Sequence, residues 1–221
     1  MKQKTRTYKL LCPIARGLDR IGDRWTLLIL RDLHAGPARF SDLQRGLTGI
    51  AANLLTERLG KLVTDGLIAK EDGPYGTKLY RLTEVGAKTR DILFDLALFG
   101  GLFPPENEVV EPGNRRLVAV TLGTAFQRVV TDDLDFEASL IIDGEPFALS
   151  VRGGKAEFLY QPAAKPDLIF ETTYDALMSL GEGEMDQNEF SQNHSRIDVK
   201  TPGKDAEFGR LMANVVALFS G

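Results

Sequence analysis

A chain of 221 residues, 43% hydrophobic and 26% charged, is long enough for one large or two small globular domains. Its composition excludes the disordered, collagenous and coiled-coil classes. A single cysteine and two distant histidines, His34 and His194, exclude an internal disulfide framework and a thiolate or histidine metal cluster.

The net charge of −4 conceals unlike halves: residues 1–103 hold 17 Lys+Arg against 11 Asp+Glu, and residues 104–221 hold 10 against 20. Only the first half therefore suits a polyanionic partner. Lys2, Lys4, Arg6 and Lys9 precede an apolar run too short for a signal-peptide core. The nearly apolar stretch Ile92 to Phe103 carries Asp95 and is too short to span a bilayer. A cytoplasmic chain without membrane contact is expected.

In chain order, Cys12-Pro13 opens a helix, with proline where a missing N–H costs little, and Ile14, Leu18 and Ile21 give it one apolar face. A second helix is predicted from Arg24 to Leu33, with Trp25, Leu28, Ile29 and Leu33 inward and His34-Ala35-Gly36-Pro37 as its stop. Ser41 and Gln44 have capping-box spacing at the start of a short third helix that ends near Gly46 to Gly49. The fourth helix, Ala51 to Asp65, is amphipathic. Ala52, Leu55, Leu59, Leu62 and Val63 share one face, and Asn53, Glu57, Gly60, Lys61 and Thr64 lie opposite. Thr56 and Arg58 flank the polar face, and Leu54 projects toward it. Leu67–Glu71 and Lys78–Leu82 read as strands joined by a turn containing Pro74. Thr83 to Leu98 reads as a fifth helix. Its Val85, Ile92, Leu93, Leu96 and Phe99 exceed what a small domain buries, which marks an interface between copies.

Helices, a tight connection, an amphipathic helix and a hairpin form a winged helix-turn-helix. Asn53, Thr56, Glu57, Arg58 and Lys61 are candidates for the major groove. Lys70, Lys78 and Arg81 on the hairpin are candidates for the phosphates, as are Arg39 and Ser41 at a helix start. Cys12 precedes a helix N-terminus, where the backbone dipole favours a thiolate, and is a candidate redox-sensing residue.

Several stretches carry a family resemblance. They are Cys12-Pro13, Leu18 to Thr26, Gly36-Pro37-Ala38-Arg39-Phe40-Ser41-Asp42-Leu43, Leu55-Thr56-Glu57-Arg58-Leu59, Asp65-Gly66-Leu67-Ile68 and Tyr80 to Gly86. Together they resemble the HxlR family of bacterial winged-helix regulators, relatives of the MarR type. The resemblance implies a homodimeric transcription regulator that binds double-stranded DNA at an inverted repeat, with half-sites about one helical turn apart. It also implies that Cys12 occupies the position through which some members sense oxidants. Ala51 and Asn53 stand where the family often has serine and lysine, and Glu57 where glutamine is common, which weakens general phosphate attraction.

Pro104, Pro105 and Pro112 mark a linker over residues 104–114, dividing the chain into domains at 1–103 and 115–221. Asn114 is expected to cap a helix, Arg115–Val129. Strands at Phe136–Ile142, Pro146–Val151 and Ala156–Tyr160 follow, separated by the hairpin signals Asp143-Gly144 and Gly153-Gly154. Leu168–Glu171, a helix at Thr173–Leu180, a strand at Arg196–Lys200 and a helix at Ala206–Phe219 complete an α+β domain with one antiparallel sheet. Asp143-Gly144-Glu145-Pro146-Phe147 and Pro166 to Thr173 resemble the sterol-carrier-protein-like fold, which implies an enclosed apolar ligand. Phe170, Met178, Met185, Phe190, Phe208 and Met212 are its candidate lining.

No nucleophile elbow, P-loop or metal cluster is present, so neither catalysis nor a cofactor is expected. The sequence favours a dimeric repressor responsive to an apolar effector. Its rivals are a lipid or acyl-chain carrier using the winged helix as an interaction module, and a regulator whose second domain only supports dimerisation.

Overall fold

The computed structural model describes residues 7–103 and 112–219. Extended Cys12 and the following proline start α1 (Pro13–Ile21). The second helix begins later than its apolar spacing predicts, as α2 (Thr26–Leu33), because the Asp23 carboxylate accepts from the backbone N–H groups of Trp25 and Thr26. A two-residue strand that patterning missed, β1 (Ala38–Arg39), precedes α3 (Phe40–Gly46). The predicted Ser41–Gln44 box does not form. The helix starts before Ser41, and Asp42 Oδ2 accepts from the Arg39 N–H at 3.1 Å.

Next come α4 (Ala52–Thr64) and the hairpin of β2 (Ile68–Asp72) and β3 (Lys78–Leu82). The small sheet has the order β1-β3-β2 and is antiparallel throughout. At the hairpin tip Tyr75 is exposed and takes a left-handed φ of 56°.

The single fifth helix of the sequence reading is two, α5 (Glu84–Ala87) and α6 (Arg90–Gly100). Thr83 caps α5 by accepting from the Gly86 N–H, while the Thr89 hydroxyl donates to the Gly86 carbonyl at 2.7 Å and diverts the chain. Gly86 also lies against the Leu67 carbonyl, so close that a Cβ would fall 1.9 Å from its oxygen.

The predicted linker residues 104–111 lie outside the described residues. Asn114 does not cap a helix. It is 2% exposed, donates from Nδ2 to the Asp42 carbonyl at 2.9 Å, and α7 (Val118–Val129) begins four residues later. The strands β4 (Phe136–Ile142), β5 (Glu145–Arg152) and β6 (Lys155–Leu159) follow as hairpins. Their turns place Asp143-Gly144 and Gly153-Gly154 at positive φ, the type I′ signature.

After β7 (Leu168–Thr172) come α8 (Tyr174–Gly181), the short α9 (Gln187–Glu189), a π-helical turn at Phe190–His194, β8 (Ser195–Val199) and α10 (Lys204–Phe219). Neither α9 nor the π turn was anticipated. The sheet order is β6-β5-β4-β7-β8, and β7 runs parallel to β4. The sheet is therefore mixed, not antiparallel. Two hairpins carry the chain to one edge, and it must cross back to lay β7 on the other side of β4.

Among the described residues, buried side chains form two clusters. Ile29, Leu30, Leu43, Leu55, Leu59 and Leu62 belong to the N-terminal one, and Phe126, Phe136, Phe147, Leu168, Phe208 and Leu211 to the C-terminal one. They interlock: Phe94 of α6 lies in the C-terminal cluster and Val120 of α7 in the N-terminal one. Polar bonds fasten the same seam. Arg116 Nε donates to the Asp32 carbonyl at 3.1 Å, and its Nη2 donates to the Gly36 and Pro37 carbonyls. The Tyr160 N–H donates to the Ala35 carbonyl at 2.9 Å.

Candidate nucleic-acid interface

α4 is held by Leu55, Leu59 and Leu62, all buried, with Leu54 packed beside them. Its opposite face exposes Asn53, Thr56, Glu57, Gly60 and Thr64. Two expectations are corrected here: Ala52 and Val63 lie exposed, while Leu54 turns toward the core. The hydrophobic arc is narrower than the sequence suggested. The Thr56 and Thr64 hydroxyls donate back to the Ala52 and Gly60 carbonyls at 2.9 Å.

The cations are less available than the sequence implied. Lys61 is partly buried, and its Nζ donates to Asp65 Oδ2 at 2.7 Å and to the Asp19 and Arg20 carbonyls at 3.2 and 3.3 Å. It ties α4 to the end of α1. Arg58 bridges Asp23 at 3.0 Å and Glu57 at 2.6 Å. On the hairpin, Lys78 pairs with Asp72, and Arg81 with Glu71 at 2.6 Å. The Lys78 ammonium holds the Asp72 carboxyl below the usual carboxylate range. Lys70 lies over the Tyr80 ring at 5.7 Å. Arg39 and Ser41 are both exposed at the start of α3.

Asp32 and His34 are buried titratable side chains at the end of α2. Asp32 pairs with Arg31 at 2.8 Å, yet burial pushes its carboxyl up against the pull of Arg31 and Arg116, and its Oδ2 has no hydrogen-bond partner among the described residues. His34 is pushed down to about 4, by burial first and Arg90 second. The lone Cys12 is partly buried at the N-cap of α1, and its carbonyl accepts from the Arg16 N–H at 3.1 Å. With one cysteine in the chain, any disulfide is intermolecular.

Four of the six candidate ligand residues come together and two do not. Phe170, Phe190, Phe208 and Met212 line a cavity of about 210 Å³ against the C-terminal sheet. Met178 faces a larger one of about 590 Å³ between the two halves, which Met212 also borders. Met185 borders neither and packs on the core. Periodicity placed Leu28 inward and Leu93 on an apolar surface but assigned neither, nor Ala97, to the larger cavity, because the opposing wall comes from residues beyond 112. Among the described residues no helix is long and apolar enough to cross a membrane, and no group of His, Cys, Asp and Glu is placed to hold a metal ion.

The family described as HxlR-like helix-turn-helix matches residues 20–108. An uncharacterised HTH-type transcriptional regulator of Mycobacterium tuberculosis, Rv3095, is 38% identical over 99 residues, 43% of this chain and 61% of the relative. The matched part thus spans less than two thirds of that relative. An uncharacterised HTH-type transcriptional regulator of Methanothermobacter thermautotrophicus is 33% identical over 100 residues, 44% of this chain and 76% of the relative. A solved MarR-family regulator from Porphyromonas gingivalis W83 is 30% identical and covers 44% of this chain and 96% of its own, with a TM-score of 0.39.

Proposed function

Because the chain belongs to the HxlR-like helix-turn-helix family of transcriptional regulators, we propose that it acts in the cytoplasm as a homodimeric repressor. In this proposal it reads an inverted-repeat operator and answers to an apolar effector. One observation carries the DNA-binding part: α4 is anchored on one side and presents Asn53, Thr56, Glu57, Gly60 and Thr64 outward, with a hairpin beside it. A helix so exposed fits the major groove. There Asn53 pairs with adenine and Glu57 accepts from a cytosine amino group. Arg39, Ser41, Lys70, Lys78 and Arg81 lie on the flanking α3 start and hairpin, where phosphates run.

Dimerisation is supported by apolar side chains that one protomer leaves in water. Ile14 and Leu18 on α1 and Ile92 and Phe99 on α6 are exposed, Ile14 to 74% and Phe99 to 58%. Repression follows from occupancy, since a dimer covering two half-sites excludes other proteins from them. The resemblance of the second half to sterol carriers supports the apolar effector: its motifs fall at the β4–β5 turn and along β7 into the α8 cap.

The test is selection of duplexes with a random core by the full chain. The expected result is enrichment of an inverted repeat with half-sites about 10 bp apart, centre to centre. No enrichment, with titrations flat in dilute salt, would overturn the proposal.

A further inference from the structure

We infer that the cavity between the two halves, rather than the interior of the C-terminal fold, is a small-molecule site, and that its occupant is an uncharged apolar compound with a hydrogen-bonding head. The inference rests on the effector-responsive regulator proposed above and specifies its site.

At about 590 Å³ the cavity has the size of a small-molecule site, and it is nearly three times the smaller one, about 210 Å³. Both halves build its walls: Leu28 and Ala97 from α2 and α6, Val120 from α7, Leu177 from α8 and Val215 from α10.

The polar groups at the cavity select against a charged occupant. Arg31 borders it, but its Nε and Nη2 both bind Asp32 Oδ1 at 2.8 Å, so its charge is already met. Glu182 adds a carboxylate that repels an anion. Thr121 returns its hydroxyl to the Val118 carbonyl at 3.1 Å. Tyr174 offers a phenol that burial keeps protonated, suited to a neutral head such as an alcohol or carbonyl. A fatty-acid carboxylate is disfavoured on the same grounds.

The position gives the site a means of acting at a distance. Leu93 and Ala97 of α6 face the cavity, whereas Ile92 and Phe99 of the same helix face outward on the apolar surface assigned to the second protomer. A ligand that favours one placement of α6 biases the spacing of the two α4 helices.

The experiment is a fluorescence titration of the full chain with the neutral probe N-phenyl-1-naphthylamine. It compares wild type with Ala97→Trp and Met178→Trp, which narrow the large cavity from exposed helix positions, Ile197→Trp, which narrows the small one, and Phe99→Gln on the outward face. Circular dichroism checks that each variant folds. Saturable binding is expected in wild type. It should weaken at least about tenfold, or 1.4 kcal/mol, in either large-cavity variant that folds and stay unchanged in the other two. Dodecanol should displace the probe far better than dodecanoate. Loss of binding confined to Ile197→Trp or to Phe99→Gln, better displacement by dodecanoate, or no saturable binding by wild type would each overturn the inference. No DNA is present, so such a failure leaves the operator reading untouched, and a failed duplex selection leaves this result standing.

Discussion

His34 shows how burial changes a side chain's response to pH. It is 4% exposed, with Nε2 3.1 Å from the Thr89 hydroxyl. Its folded-state pKa of about 4 lies below the ordinary 6.5. The unfolded chain therefore takes up a proton that the folded one refuses, so this contribution is complete above pH 6.5 and is lost as the pH falls toward 4. It amounts to about 3 kcal/mol at one unit per 1.36 kcal/mol. Urea unfolding should show wild type losing stability relative to His34→Gln across that window; parallel curves would contradict it. Gly86 is decided by space. A Cβ 1.9 Å from the Leu67 oxygen must displace the backbone, so Gly86→Ala should cost about 2–3 kcal/mol in the same measurement. Periodicity located neither effect. Both depend on atoms brought in from other elements, α5 onto the β2 entry in one case and α2 onto the Thr89 turn in the other.

Among the elements, α4 separates residues that its sequence groups together. Lys61 sits on the polar side of the helical wheel, yet its ammonium closes the end of α1. Lys61→Met should therefore lower stability and leave operator affinity within about twofold. Asn53→Ala should leave stability unchanged and cost about 1–3 kcal/mol of affinity, with relaxed base preference. Anisotropy titrations beside unfolding curves would separate the two, and equal affinity losses would refute the distinction. The hairpin yields a companion prediction. Asp72 and Glu71 neutralise Lys78 and Arg81 across the strands, so Asp72→Asn with Glu71→Gln should tighten DNA binding. It should also steepen the log–log salt dependence by about one unit for each cation that then meets a phosphate. An unchanged salt slope would place those cations away from the backbone.

At the scale of the whole molecule the halves are joined by more than a linker. Arg116 is buried, and its guanidinium meets three carbonyls around the end of α2 while Asp32 lies close by. Arg116→Leu leaves those acceptors and the Asp32 carboxylate in a dry seam. It should cost about 3–5 kcal/mol. It should also split a single unfolding transition into two, as probes in the two halves cease to coincide. A coincident transition at the wild-type midpoint would show that apolar packing alone couples them.

The family was legible in its matching motifs, and patterning alone located the longer elements, the winged helix-turn-helix and the inward residues Leu55, Leu59 and Leu62, but not β1, the break between α5 and α6, α9 or the π turn. The sequence by itself also determined both I′ hairpin turns. These follow from helical and strand periodicity, proline and glycine positions and local turn chemistry, which act over a few residues. Tertiary structure alone decided that β7 runs parallel to β4, that Thr89 breaks the fifth helix, that Lys61 is tied to the end of α1 and Arg58 to Asp23, and that the larger cavity lies between the halves. Each of these depends on groups far apart in the chain meeting in space, and no local pattern encodes where a buried charge or an apolar wall will find its partner.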